Sequence, residues 1–161
     1  MDIATLPNVS VRPLRQAPEF AQSLAHWLHL ERQRFGAAGT EVEGLGKLQA
    51  ECTGTSDLPH TNIAVRNNEL LGAVTLMRFD GPLARPGDVW LSNLWVDPQW
   101  RNKGLGRLLC HSVIELARDQ QFSTIQLFTY DKSPFYQAMG WAPVRRAKIA
   151  GRSCTIMAFA L

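Results

Sequence analysis

The stretch that most constrains this chain runs from Val89 to Leu109. An apolar run, Val89 to Val96, stops at Asp97-Pro98; a short loop with Arg101, Asn102, Lys103, Gly104 and Gly106 comes next, and a helical pattern then begins. A buried strand that feeds a helix through a glycine turn leaves the first helical N–H groups without intrahelical partners, at the positive end of the dipole. Gly104 and Gly106 lack side chains, so a ligand can approach the backbone closely there. Arg101 and Lys103 add positive charge. The segment from Arg101 through Leu105 to Arg107 therefore predicts a binding loop for a phosphorylated ligand.

Two well-known phosphate loops do not fit. No Gly-Lys-Ser/Thr follows the glycines, which excludes the P-loop pattern. In the dinucleotide fingerprint the third glycine would fall at Leu109, whose bulk prevents the close helix–strand approach that glycine serves. Other function classes are excluded by composition. A net charge of +3 is spread along the chain with no block of like charges, so the sequence carries no nucleic-acid tail. The three cysteines, Cys52, Cys110 and Cys154, show no Cys-x-x-Cys or Cys/His ligand spacing, which supports neither a disulfide framework nor a metal site. Reduced thiols fit a cytoplasmic setting. The opening MDIATLPNVS does not read as a signal peptide, and no apolar run is long enough to span a membrane. With 161 residues, of which 45% are apolar and 19% charged, the expectation is one domain over 1–161 with a substantial core.

Patterning supplies the other elements. Val9 to Arg15 alternates as a strand that Pro13 would confine to an edge or a strand end. From Pro18, the residues Phe20, Leu24, Trp27 and Leu28 recur at helical spacing, predicting a helix to about Leu30 that continues loosely to Phe35, with a break at Gly36 to Gly39. A second helix is expected over Glu41 to Cys52, then a loop over Thr53 to Thr61. Asn62 to Arg66 and Leu70 to Phe79 form a hairpin around Asn67-Asn68, residues that tolerate the positive φ of a tight turn. A loop over Asp80 to Asp88 leads into the buried strand Val89 to Val96. In the helix after the glycine loop, Leu105, Leu108, Leu109, Val113, Leu116 and Ala117 make a core stripe. Thr124 to Tyr130 then returns as a strand parallel to Val89 to Val96. Ser133-Pro134 reads as an N-cap and first helical residue of a short helix ending at Gly140. Trp141 to Ile149 and Cys154 to Leu161 close the chain as antiparallel strands.

Two motifs now stand in order: Arg101-x-x-Gly104-x-Gly106, then Phe135-Tyr136 followed by Gly140 and Trp141. The first resembles the R/Q-x-x-G-x-G/A loop of the GNAT superfamily of N-acetyltransferases, and the second resembles its FYxxxGF signature. The order of elements matches nearly throughout, with the specific motifs confined to Val89 to Trp141. The resemblance implies an α/β (α+β) fold whose mixed, splayed central sheet is flanked by helices, with acetyl-coenzyme A held in the splay. It implies that the Leu94, Trp95 and Val96 backbone serves the thioester carbonyl and the pantetheine arm. The superfamily's tyrosine that protonates the departing thiolate falls at Tyr136. Many relatives place an asparagine where this chain has Thr129, and a threonine hydroxyl cannot reproduce both functions of an amide. The whole T-x-D-x-x-x-F-Y-x-x-x-G-aromatic arrangement from Thr129 to Trp141 is more similar to a smaller branch that includes actin N-terminal acetyltransferases and many bacterial proteins of unassigned substrate.

Acetyl transfer to an amine needs a neutral amine, a polarised carbonyl, a protonated leaving thiolate and close alignment. The sequence presents no evident base. Ser92 and Asn93 are polar residues in an otherwise apolar strand and would hold a water. Glu41, Glu43, His60, Asp80 and Asp88 lie in segments that would line the acceptor side, where a solvated surface role is the simpler reading. Lack of a base favours a small amine or a peptide N-terminus over lysine, since an α-amine titrates near ~8 and lysine near ~10.4. Trp90 and Trp95 read as core residues, and Trp100 as a partly exposed loop residue. The expectation is therefore an acetyl-coenzyme A-dependent N-acetyltransferase, monomeric or homodimeric, without nucleic-acid, membrane or metal partners. A non-catalytic acyl-coenzyme A binding module on the same fold is the alternative.

Overall fold

The computed structural model describes residues 6–78, 83, 85 and 87–161. Phe79, Asp80, Gly81, Pro82 and Pro86, and with them most of the loop expected before the central strand, lie outside the described residues. Strand β1 (Ser10–Pro13) ends where Pro13 gives way to a 3-10 turn over Leu14–Gln16, which buries Leu14 and makes the strand shorter than alternation predicted. A second such turn, Pro18–Phe20, precedes helix α1 (Ala21–Arg34), so Pro18 opens a 3-10 turn rather than the helix itself. Helix α2 (Glu41–Thr53) begins at Thr40, whose hydroxyl accepts the Glu43 N–H at 3.1 Å, a side-chain N-cap that offsets the weak propensity of Gly44 and Gly46.

Strands β2 (His60–Arg66) and β3 (Glu69–Met77) form the expected hairpin, with Asn67 and Asn68 at φ 49° and 65°. Strand β2 starts inside the predicted loop because His60 and Thr61 pair with Leu76 and Thr75 of β3. The central strand β4 (Trp90–Val96) leads through a 3-10 turn to α3 (Leu105–Asp119), then β5 (Thr124–Thr129) and the short α4 (Ser133–Gln137). The cap of α4 is Lys132, not Ser133; its N–H donates to the Thr129 hydroxyl at 2.9 Å. Strands β6 (Ala142–Ile149) and β7 (Arg152–Ala160) turn at Ala150 and Gly151, both at positive φ.

The seven strands lie in the order β1-β2-β3-β4-β5-β7-β6, antiparallel except for β4 and β5. One face is covered by α3, whose buried stripe is Leu105, Leu109, Cys110, Val113, Ile114 and Ala117. Cys110 and Ile114 complete that stripe, while Leu108 and Leu116 are half-buried at its margins. The other face packs against α1 and α2, where Leu24, Leu28 and Leu48 meet Ile63, Val65 and Trp95. Trp95 stacks on Trp27 with centroids 5.4 Å apart, and Trp90 is fully buried, so both indoles pack as core residues. Among the described residues, no helix is long and apolar enough to cross a membrane.

Two irregularities of β4 open the sheet at its centre. The strand pairs with β5 only near Trp90 and Gln126, and beyond that point the strands part. On its other edge, Thr75 pairs with Ser92 but Ala73 with Trp95, so two residues, Asn93 and Leu94, face Val74 alone. This bulge holds Asn93 at φ 54° and turns the strand's backbone at the mouth of the gap.

Candidate active site

The gap between β4 and β5 opens into a cleft of about 830 Å³. One wall is the turn from β4 into α3. Gly104 occupies the N-cap of α3 at φ 89°, a left-handed conformation that strains any residue with a Cβ. The first helical bond runs from the Leu108 N–H to the Gly104 carbonyl, 3.0 Å, which leaves the earlier N–H groups of the turn for an external anion. Gly106 lies against α4, and a Cβ there would sit 3.3 Å from Phe135 Cζ. Arg101 ties the loop down: its Nε–H donates to the Val96 carbonyl at 2.9 Å, and its guanidinium lies 3.8 Å from Glu31 of α1. The cleft is lined by Leu94, Trp95 and Val96 of β4, by Arg101, Asn102, Gly104, Leu105, Gly106 and Arg107, and by Thr129 and Tyr136. Lys103 is not among the lining residues. Trp100 also lines the cleft, half-buried with the Arg66 guanidinium 5.1 Å above its ring.

The physical logic of the second motif is visible here. Phe135 fills the space that Gly106 leaves and packs edge-on against Tyr136, centroids 5.0 Å apart. Trp141 supports the Tyr136 ring from another side at 6.0 Å, after a turn that Gly140 makes at φ 99°. Tyr136 is 8% exposed and lines the cleft; its hydroxyl has no hydrogen-bond partner among the described residues. Burial, reinforced by the neighbouring Cys110 thiol, raises its pKa well above the usual phenol range, so the group stays protonated and remains a donor. The Thr129 hydroxyl is occupied as an acceptor by the Lys132 N–H.

Sequence patterning does not single out one carboxylate that the cleft contains. Glu51, in the last turn of α2, is only 6% exposed and lines the cleft. It accepts the Thr61 N–H at 2.6 Å and the Thr61 hydroxyl at 2.8 Å; that hydroxyl also lies 2.9 Å from the Thr75 hydroxyl. Ser92 is next across the sheet from Thr75, so a polar row crosses three strands from Glu51 toward the β4 bulge. Desolvation raises the Glu51 pKa against the lowering effect of the Thr61 bonds. Its sequence signal is its phase: Gly44, Leu48 and Glu51 share one buried helical face, and an acid on such a face asks for a reason. Among the acidic candidates, Glu41 is half-exposed and bonded to His26 at 2.6 Å, and the further candidate His60 is engaged with Asn62 at 2.8 Å. Glu43 and Asp88 are not among the cleft-lining residues, and Asp80 lies outside the described residues. Asn93 and Ser92 both line the cleft.

A family model described as the acetyltransferase (GNAT) family matches residues 21–141, most of the chain and both motifs. The chain belongs to the GNAT acetyltransferase family. Among curated proteins, this GNAT chain is similar to human N-acetyltransferase 8, at 28% identity over 103 residues, 56% of the chain. That match spans 45% of the human protein, so the chain corresponds to less than half of that relative. Among solved structures, it is similar to an acetyltransferase from Streptococcus agalactiae, with TM-score 0.73 and 18% identity over 96% of this chain and 99% of that one. It is also similar to the ribosomal-protein-S18-alanine N-acetyltransferase from Escherichia coli, with TM-score 0.64 and 16% identity over 94% and 93%. At these identities the structural likenesses establish the GNAT fold of a mixed, open sheet flanked by helices.

Proposed function

We propose that this GNAT chain acts as one acetyltransferase domain that moves an acetyl group from acetyl-coenzyme A directly to a primary amine. The observation that carries the reading is the meeting, in one cleft, of the α3 N-terminal turn, the Tyr136 hydroxyl and the Glu51 carboxylate. The residues present fit the acetyl donor: a glycine N-cap with unused N–H groups suits a pyrophosphate, and an unpaired β4 edge suits an amide-bearing arm. Arg101, Asn102, Gly104, Leu105, Gly106 and Arg107 would hold the phosphates, and Leu94, Trp95, Val96 and Thr129 the arm. Bound there, the thioester supplies an activated acetyl group.

The chain's own groups then do the proton work. Glu51 would take the proton that the acceptor ammonium must lose before its neutral nitrogen attacks, and its hydrogen bonds to Thr61 hold it in place. Backbone N–H groups at the β4 bulge would donate to the carbonyl oxygen. Tyr136 would give its phenolic proton to the departing sulfur, so that the thiol leaves neutral as the nitrogen–carbon bond replaces the carbon–sulfur bond. Cys52, Cys110 and Cys154 are unbridged, which supports a reducing compartment such as the cytoplasm.

Thiol release from acetyl-coenzyme A in the presence of an amine panel tests the reading. Amine-dependent release is the expected result; tight binding without release would instead mark a non-catalytic acyl-coenzyme A module. The Glu51 role has a sharper test. Because its pKa is raised, the acidic limb of kcat/KM should lie above the ~4.3 of an ordinary glutamate, with activity lost as pH falls through it. Glu51→Gln should lower kcat/KM by roughly 10²-fold at neutral pH and remove that limb. A variant that keeps the wild-type profile would leave Glu51 as a strut between α2 and β2.

A further inference from the structure

The acceptor side of the cleft carries an unneutralised positive patch that acetyl transfer to a simple amine does not use. Two helix faces meet there. Helix α1 and its C-cap present Glu31, Arg32 and Phe35, and α2 presents Gly44, Lys47 and Glu51, all lining the cleft. Glu31 is already shared between Arg34 and Arg101, 3.8 Å from each. Among the described residues, no carboxylate lies within ion-pairing distance of Arg32 or Lys47, and Arg32 Nε is buried with no hydrogen-bond partner.

The fold makes room for this guanidinium. A Cβ at Gly44 would sit 3.3 Å from an Arg32 terminal nitrogen, so the side chain rests on the bare backbone of α2. Glycine inside a helix is disfavoured by its backbone entropy, and here the missing side chain has a use. Lys47 is one turn further along the same face, and Glu51 a second turn on, with about 10 Å of helix axis between Gly44 and Glu51. The cleft is therefore bipolar along α2, cationic at Gly44 and Lys47 and carboxylate-bearing at Glu51.

We propose that Arg32 and Lys47 form an anion subsite beside Glu51, and that the acceptor is an amine carrying a carboxylate a few bonds away, of amino-acid type. This rests on the acetyltransferase reading above for its direction of use: the ammonium meets Glu51, and the carboxylate forms charge-assisted hydrogen bonds with Arg32. Apolar Leu28, Leu48 and Met77 line the same side and give an apolar substituent a place to lie.

The test compares phenylalanine and leucine with their carboxamides, in thiol release and in calorimetric binding to the protein saturated with coenzyme A. The free acids should be favoured in kcat/KM by roughly tenfold or more, although the carboxamide amines are less protonated at neutral pH. Arg32→Gln should erase the preference through KM, with kcat and acetyl-coenzyme A affinity little changed. Gly44→Ala should blunt it while the thermal midpoint holds or rises, since only the resting place of Arg32 is filled. Equal handling of acid and carboxamide, or a preference that survives Arg32→Gln, overturns the subsite. Loss of cofactor affinity in Arg32→Gln would overturn it too, by placing the arginine on the donor. Preferential binding of the acids without any thiol release would keep the subsite and overturn the enzyme reading instead.

Discussion

Gly106→Glu is expected to abolish acetyl-coenzyme A binding while leaving the chain folded. The Cβ alone would come 3.3 Å from Phe135 Cζ, and both residues line the cleft, so the longer side chain is expected to enter it. Its carboxylate would then lie at the first turn of α3, beside the N–H groups proposed for the pyrophosphate, and repel it. The same position is favourable for the helix itself, since an acid in the first turn contributes about 0.3–1 kcal/mol through the dipole. Gly106→Ala separates the two effects, because it presses on Phe135 without adding charge. Titration calorimetry and a cofactor-free thermal melt make the measurement. Undiminished affinity in Gly106→Glu would contradict the loop assignment, and a collapsed melting temperature would show that Phe135 cannot give way.

Tyr136→Phe is expected to lower kcat by roughly 10²- to 10⁴-fold, the span of a general acid's contribution. Acetyl-coenzyme A affinity should barely move. The ring is held by Phe135 and Trp141, and phenylalanine keeps those contacts. Only the hydroxyl is lost, and no other described group uses it as a hydrogen-bond partner, so the fold does not depend on it. Single-turnover kinetics with saturating cofactor separate chemistry from product release. Full activity in this variant would move the acid role elsewhere. A large loss of stability would mean that the hydroxyl is structural.

Legibility in the sequence tracks the range of the interactions. The turn from β4 into α3 is readable because its determinants are adjacent: an apolar strand, Asp97-Pro98, Gly104 at a left-handed N-cap and an amphipathic helix. The Phe135-Tyr136 to Trp141 motif is likewise compact, although the reason for Phe135 becomes visible only with Gly106 beneath it. Features set by partners distant in sequence are not readable. The bulge at Asn93 exists through register with β3, and nothing in β4 alone announces it. Glu51 acquires its meaning from Thr61, and Arg32 from Gly44, each joining elements whose docking the sequence leaves open. The sheet order, with β7 inserted between β5 and β6, is of the same kind. Smaller displacements have local steric causes. Helix α1 starts late because a 3-10 turn intervenes at Pro18, and α4 is capped by Lys132 because Thr129 reaches its N–H first.

The two halves of the cleft differ in chemistry. In the proposed acceptor half, Glu51, Arg32 and Lys47 would give an amine two points of charge recognition at once. The donor half comes first in order of dependence, since every later step needs the thioester seated between β4 and β5.

Calorimetric titration with acetyl-coenzyme A, dephospho-coenzyme A and ATP addresses that seating without any acceptor present. Micromolar binding of acetyl-coenzyme A is expected, with similar binding of dephospho-coenzyme A, which keeps the pyrophosphate and the pantetheine arm, and much weaker binding of ATP. Absence of binding, or ATP bound as tightly as acetyl-coenzyme A, would contradict a donor site between β4 and β5.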